Sequence, residues 1–332
     1  IMFKNKSILV TGATGSFGQA FIAHVIKNYP NFKRLVIFSR DELKQFEMSK
    51  LDIFKHPNVR MFLGDIRDKN RLDRALEDID IVVHAAALKQ VPAAEYNPFE
   101  FIKTNVIGTQ NLVESCLDKG VSKVIALSTD KASSPINLYG ATKLCADKLI
   151  LSANNIKGRK KISFSVVRYG NVTGSRGSVV PFFLKAFKYK KKLPLTHHEM
   201  TRFNISLKES INLVLKAIKF GSGGEIFVPK LKSFYIRDLI TAIAKKKNFH
   251  KIVGIRPGEK IHEELINTAE IKDTLCKNDH YVVLSNFSEK QMNTYCKKKK
   301  YKKVSKGFSY NSGTNTNFLS LKELSQIVKK YS

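Results

Sequence analysis

The sequence predicts an α/β fold: a doubly wound parallel sheet followed by a smaller α/β lobe. Three observations carry this. Short runs rich in Val and Ile alternate with stretches of helical length from the start of the chain. Those runs are apolar almost continuously, so each strand is buried on both faces, as in a parallel sheet covered by helices. The first run ends in a glycine-spaced turn that opens a helix.

In order, the strands read SILVTG (7–12), RLVIFSR (34–40), VRMFLGD (59–65), DIVVHAAA (80–87), KVIALST (123–129) and FSVVRYGN (164–171). After about residue 175 the alternation loosens. VVPFFLKAFKYKKKLP (179–194) predicts a helix, and SLKESINLVLKAIKF (206–220) an amphipathic one. GGEIFVP (223–229) predicts a short strand, and IRDLITAIAKKKN (236–248) a further helix. From about 285 the chain is polar, with GFSYNSGTNTN (307–317) inside it and a last helix at SLKELSQIVKKY (320–331). The predicted division is 1–175 for a cofactor domain and 176–332 for a mainly substrate-binding lobe, some of whose segments return to the first domain.

Composition narrows the function. Hydrophobic residues make up 43% and charged residues 26%, as in soluble globular chains. No apolar run approaches the roughly 18–20 residues of a membrane span. The chain enters a strand within a few residues, so no secretory leader is expected. Cys116, Cys145, Cys276 and Cys296 are far apart and form no CxxC, which points away from zinc and disulfides and towards a reducing cytoplasm. The net charge of +30 admits a nucleic-acid, membrane or anionic-substrate partner. The lysines scatter, however, with local runs at KYKKK (188–192) and CKKKKYKK (296–303) that no aromatic ladder interleaves, so a solvated surface with neither a nucleic-acid nor a membrane partner is expected. His197 and His198 are adjacent and point apart, and no metal site is predicted.

VTGATGSFGQAF (10–21) places Gly12, Gly15 and Gly18 in a GxxGxxG turn between strand and helix. Such a Rossmann-type turn brings backbone N–H groups to a pyrophosphate at the helix N-terminus. Thr14, Ser16 and Phe17 belong to the same turn. The second strand ends in FSRDE (38–42), presenting Ser39 and Arg40 before any acid. A guanidinium pairs well with a 2′-phosphate, which predicts NADP and leaves Asp41 as a helix N-cap. GDIRD (64–68) sets Asp65 and Ile66 near an adenine, and Ala85, Ala86 and Ala87 of HAAALK (84–89) let the backbone approach the cofactor.

STDKASSPINLYGATK (128–143) holds the chemistry. Together with TGxxGxxG, HAAA and RPGEK (256–260), its Tyr-x-x-x-Lys resembles the extended short-chain dehydrogenase/reductase family, in its nucleotide-sugar branch. The likeness covers nearly the whole chain. Tyr139 and Lys143 lie on one helical face, where the ammonium can lower the phenol's pKa and bind the cofactor ribose. Tyr139 then takes a hydroxyl proton as hydride leaves, and Thr129 polarises the same oxygen. An enzyme that only moves hydride needs no more. Asp130-Lys131 adds an acid and an amine, and in this family the pair after the Thr separates 4,6-dehydratases. Configuration-retaining members carry Asp-Glu, whereas Asp-Lys resembles the inverting ones. SRDELKQFEM (39–48), AAEYNP (93–98), RYGNVTGSRGSVVPFF (168–183), GEIFVP (224–229) and GFSYNS (307–312) resemble that group as well.

The resemblance implies UDP-N-acetylglucosamine as substrate, at the entry to pseudaminic acid-type surface glycans, and a homo-oligomer. In the implied cycle bound NADP takes the carbon 4 hydride, Lys131 removes the carbon 5 proton and Asp130 protonates the departing carbon 6 hydroxyl. The hydride then returns to carbon 6, and carbon 5 is protonated on its other face. Lys131 must be neutral to act as base, and burial with Lys143 nearby is expected to lower its pKa. The plainer alternative is that Lys131 only pairs with Asp130. For the substrate, the resemblance implies Arg256 at the diphosphate, Glu259 at the uridine ribose and Arg176 at the nucleotide, while Asn171, Lys89 and Tyr96 are placed near the sugar. MTRFNI (200–205) departs from it, since a bulky Trp or Leu is expected at Asn204. The rivals are a dehydratase that also inverts carbon 3, a simple 4-epimerase, and a basic nucleic-acid-binding protein on the same scaffold.

Overall fold

The computed structural model describes residues 2–175, 177–189, 191–305 and 307–331. Six parallel strands form one side of a ten-stranded sheet: β1 (Ser7–Thr11), β2 (Arg34–Ser39), β3 (Val59–Leu63), β4 (Ile81–His84), β5 (Lys123–Thr129) and β6 (Ser163–Tyr169). Their order, β3-β2-β1-β4-β5-β6, reverses between β1 and β4, and open α/β sheets bind ligands at such a point. All six sit where the apolar runs predicted them. Apart from β3, whose residues are half-buried or exposed, they are buried almost throughout, which is why they read as continuous apolar runs.

The second half of the chain contributes β7 (Leu193–Leu195), β8 (Thr201–Asn204), β9 (Ile226–Pro229), β10 (Lys232–Tyr235), β11 (His250–Ile252), β12 (Glu264–Ile266), β13 (Thr274–Cys276), β14 (His280–Val283), β15 (Lys302–Lys303) and β16 (Tyr310–Asn311). Of these, β9 pairs parallel with β6, and β14, β13 and β15 extend the same sheet antiparallel. The other strands form three two-stranded ribbons. A second apolar core, containing Val180, Phe183, Leu193, Ile240 and Leu324, lies apart from the core of the large sheet.

The helices that position the site are α1 (Ser16–Asn28), α2 (Glu42–Ser49), α3 (Lys69–Ala75), α4 (Val91–Tyr96), α5 (Pro98–Phe101), α6 (Gly108–Asp118), α7 (Leu138–Ile156), α8 (Val179–Lys188) and α9 (Leu207–Phe220), followed by α10 (Ile236–Ala244), α11 (Glu289–Lys299) and α12 (Leu321–Tyr331). Helix α9 starts at a capping box between Ser206 and Glu209. Two expectations change. The helix read through to Pro194 stops at Lys188, and Pro194 lies in β7, because proline cannot continue a helix and biases the residue before it to extended backbone. The tail read as polar contains α11, which buries only Met292 and Tyr295, too sparse a stripe to show as a helical period. Among the described residues no helix is long and apolar enough to cross a membrane.

Candidate active site

The carboxyl ends of β1, β4, β5 and β6 open onto a cleft of about 490 Å³. Gly12 and Thr14 to Gly18 form one wall, Ala85 to Ala87 a second, and Thr129, Lys131, Tyr139 and Lys143 a third. Lys89 and Asn171, expected near the sugar, also line it. A smaller cleft of about 220 Å³ shares Gly12, Thr14, Ala86 and Ala87 with the first and is lined by Ser39, Arg40, Asp65 and Ile66. The first turn is closed tightly. Gly12 has φ +63, and a Cβ there would stand 2.7 Å from the backbone of Ala85 and Ala86. Only glycine lets β1 and the turn after β4 meet.

Beyond the turn, the hydroxyls of Thr14 and Ser39 lie 2.8 Å apart. Asp41 caps α2, accepting from the Lys44 N–H at 3.0 Å, as expected. Arg40 lies 3.5 Å from Asp65, whose carboxylate Arg67 also holds at 2.7 Å. Burial works to raise the Asp65 pKa, but the guanidinium of Arg67 outweighs it and keeps the carboxyl below its usual range.

Helix α7 presents the Tyr–Lys pair. Asn137 caps it, accepting from the Gly140 N–H at 2.8 Å, while its own amide donates to the Gly258 carbonyl at 2.8 Å. The RPGEK segment is thereby fastened to the start of the helix, and Lys260 adds a bond to the Ser133 carbonyl at 2.9 Å. Lys143 donates to the Leu127 carbonyl at 2.7 Å. Tyr139 is buried and hydrogen-bonded to Thr129. Burial pushes its phenol up to about 12, opposed most by the Lys131 ammonium. Lys131, rather than Lys143, is thus the chief cation acting on Tyr139, contrary to the sequence reading.

Asp130 and Lys131 lie in a 3-10 turn, Asp130–Ala132, at the end of β5. Lys131 Nζ is 3.1 Å from Asp130 Oδ1 and 3.0 Å from Glu263 Oε1. Asp130 is fully buried behind the cleft wall, with Thr129 Oγ1 donating to its Oδ1 at 3.0 Å. Its Oδ2 has no partner among the described residues. Burial, reinforced by Glu263, raises the Asp130 pKa against the pull of Lys131 and Thr129. The expectation for Lys131 is overturned. Burial would lower its pKa, but two carboxylates face it and the net shift is upward, so the amine rests protonated. Lys143 is not the neighbour that matters.

Glu263 and Arg202 are charged residues beside the Asp130–Lys131 pair that sequence reasoning missed. Arg202 is 7% exposed, donates to the Thr201 and Ile261 carbonyls, and faces Glu263 at 3.6 Å and Glu259 at 3.8 Å. The available signal was an arginine inside a strand-length run and an acid just past RPGEK. Neither reveals a contact with Lys131.

Other predicted residues fall outside the cleft. Tyr96 ends α4 at 86% exposure, because the helix turns its other face, with Ala94, inward. Arg256 is exposed and pairs with Glu259 at 3.2 Å rather than lining the cleft. Arg176 lies outside the described residues. Asn204 accepts from the Thr173 hydroxyl. His197 accepts a local bond from the Glu199 N–H, and among the described residues no cluster of three or more His, Cys, Asp or Glu is placed to hold a metal.

The chain has clear relatives. A family model described as polysaccharide biosynthesis protein matches residues 8–285. A UDP-N-acetylglucosamine 4,6-dehydratase (inverting) of Campylobacter jejuni subsp. jejuni serotype O:2 is 49% identical over 333 residues, 98% of either chain. A UDP-glucose 4-epimerase of Rickettsia bellii is 43% identical over 81% of this chain and 80% of its own. Among solved structures, Pen from Bacillus thuringiensis matches with a TM-score of 0.88 at 35% identity, over 99% of this chain and 100% of its own. DesIV, a dTDP-glucose 4,6-dehydratase of Streptomyces venezuelae solved with NAD bound, shares the fold at a TM-score of 0.70 and 21% identity, over 89% and 98% of the two chains.

Proposed function

The chain belongs to the extended short-chain dehydrogenase/reductase family, in the group described as polysaccharide biosynthesis proteins, and on that premise we propose that it is an inverting UDP-N-acetylglucosamine 4,6-dehydratase. The observation that carries the reading is the Asp130–Lys131 pair beside Tyr139. A 4-epimerase needs no such pair.

A nicotinamide dinucleotide fits the two joined clefts. The bare turn at Gly12 suits a pyrophosphate, Asp65 and Ile66 flank an adenine position, and Tyr139 and Lys143 stand where the nicotinamide ribose would lie. Bound there, the nicotinamide ring would supply the hydride acceptor for carbon 4 and the hydride donor for carbon 6. We favour NADP because Arg40 lines the adenosine end of the cleft.

The chain's own groups manage the protons. Tyr139 accepts the carbon 4 hydroxyl proton. The active form of Asp130–Lys131 carries one dissociable proton between the two residues. That proton crosses from Nζ to Oδ1, 3.1 Å apart, and leaves a neutral amine beside a neutral acid. Lys131 takes the carbon 5 proton. Asp130 is buried, so its proton reaches the carbon 6 hydroxyl through Thr129, whose hydroxyl already bonds Oδ1. The carbon–oxygen bond breaks and water leaves, a solvent-derived proton adds to carbon 5 on the opposite face, and the proton that Tyr139 accepted returns to solvent, while the one on Lys131 restores the starting pair. The sugar loses one water with no net redox change. A cytosolic homo-oligomer accompanies the reading, supported by exposed Tyr96, Phe99 and Ile107 in the α4–α6 region.

Proton NMR of purified protein with UDP-N-acetylglucosamine in deuterated water tests this. A 4-keto-6-deoxy product of L-arabino configuration, deuterated at carbon 5, is expected. Inversion at carbon 3 as well would assign the chain to the dehydratase/epimerase rival, and no turnover with NADP or NAD supplied would sink the substrate named here.

A further inference from the structure

The Asp130–Lys131 pair is not a closed unit. Glu263 is 2% exposed, and its Oε1 is shared between Lys131 Nζ at 3.0 Å and Arg202 Nε at 3.6 Å. Its Oε2 is buried with no partner among the described residues. The segment bearing it is held independently of Lys131, since the Ser312 hydroxyl accepts from the Glu263 N–H at 2.9 Å and the Glu263 carbonyl accepts from the Ser312 N–H at 2.8 Å. A carboxylate this buried and this rigidly backed fixes the ammonium that it faces. It lines no part of the cleft, so it acts on the substrate only through Lys131.

Resting on the dehydratase reading, we infer that Glu263 is a positioning residue of the acid/base centre: its carboxylate, backed by Arg202, holds the Lys131 amine beside Asp130 and sets the pH range over which the pair carries a single proton. The charged groups facing this centre come from every side. Asp130 faces it from the 3-10 turn, Tyr139 from α7 and Arg202 from β8, with Glu259, Lys260 and His262 on the segment that carries Glu263. The effect has one sign for both members. The anion stabilises a protonated Lys131 and disfavours an ionised Asp130, so it raises both pKa values. Removing it lowers both.

The test is Glu263→Gln, which keeps the shape and an oxygen acceptor but removes the charge. Dehydration rate against pH should give a bell, and both limbs should move to lower pH by about one unit. The maximum should drop roughly tenfold or more. Glu263→Asp should restore the position of the bell with a reduced height. A merely structural role would lower the bell and leave its limbs in place, and that result overturns the inference. A second readout needs no turnover. In protein with isotope-labelled lysine side chains, the Lys131 signal, assigned by its loss in Lys131→Met, should titrate at lower pH in Glu263→Gln than in the parent. An unchanged titration refutes the inference whatever the substrate. Absence of product from the parent protein refutes the dehydratase reading instead.

Discussion

Replacing Gly140 with alanine should separate chemistry from folding. Gly140 follows Tyr139 in the first turn of α7, and a Cβ there would lie 2.2 Å from the Lys131 carbonyl oxygen and 3.1 Å from its carbonyl carbon. Both are backbone atoms, so no side chain can rotate away. Restoring an ordinary van der Waals separation takes roughly 1 Å of movement between α7 and the 3-10 turn. Overpacking of this kind costs about 1–3 kcal/mol. Alanine returns about 1 kcal/mol in helix propensity. The net loss of stability should therefore be small, a few degrees in melting temperature at most. Catalysis is more sensitive, because a displacement of about 1 Å at reacting groups costs on the order of a hundredfold. Tyr139 and Lys143 ride together on α7 and keep their mutual geometry, while Asp130 and Lys131 move away from them. Cofactor reduction on adding substrate, followed by near-ultraviolet absorbance, should therefore survive better than release of dehydrated product, followed by NMR. Product formation at the parental rate would refute the claim that contact between these two elements sets the acid/base geometry. Loss of folding would refute the partition worked out here.

Two further substitutions probe other parts of the structure. Arg40→Ala should reduce the preference for NADP over NAD by about ten- to a hundredfold, the scale of hydrogen bonds to a charged group, with NAD binding little changed. Calorimetric titration of cofactor-stripped protein checks this, and a preference that survives the substitution removes Arg40 from the cofactor assignment. His84 ends β4 fully buried between the hydroxyls of Thr11 and Thr109, and burial, with Lys143 nearby, pushes its pKa down to about 3. Its folded pKa lies below its unfolded one, so its contribution is complete above about pH 6.5 and is lost as pH falls towards about 3, worth roughly 5 kcal/mol at most. Denaturant unfolding of His84→Asn should depend less steeply on pH between those limits, and an unchanged slope would clear the histidine of the effect.

The first half of the fold was legible because its signals are local. A buried parallel strand is an apolar run, a pyrophosphate turn is a glycine spacing, and Tyr139 and Lys143 meet because a helix turns every 3.6 residues. The second half was less legible. Strand β7 pairs with β11 across more than fifty residues, and three-residue strands have no period to detect. The electrostatics of the site were the least accessible. Lys131 was expected to lose its proton more readily because only burial and nearby chain positions could be weighed. The Asp130 charge, next in sequence, does most to reverse that expectation, and Glu263, more than a hundred residues away, adds to it only once the tertiary fold brings it near.

The raised pKa of Lys131 fits the order of steps in the proposed reaction better than a neutral amine would. Oxidation at carbon 4 comes first, and it needs Tyr139 to accept a proton although burial resists a phenolate. The charged Lys131 is the neighbour that most lowers the Tyr139 pKa, so an ammonium at rest serves that step. Elimination follows, and only then is a neutral amine required, because only a ketone at carbon 4 makes the carbon 5 proton acidic. A proton passed across 3.1 Å to Asp130 supplies acid and base together, with no exchange with solvent. An acid and an amine adjacent in sequence at the end of β5 can do this because one 3-10 turn holds both. The charges that tune them come from β8 and from the segment before β12, in the second half of the chain. The division of labour between the two halves is therefore incomplete. The cofactor half supplies the proton-handling pair, and the substrate half adds the second carboxylate and the arginine that tune it. A fragment ending near residue 175 should accordingly lack a competent acid/base centre even if its Rossmann sheet were intact.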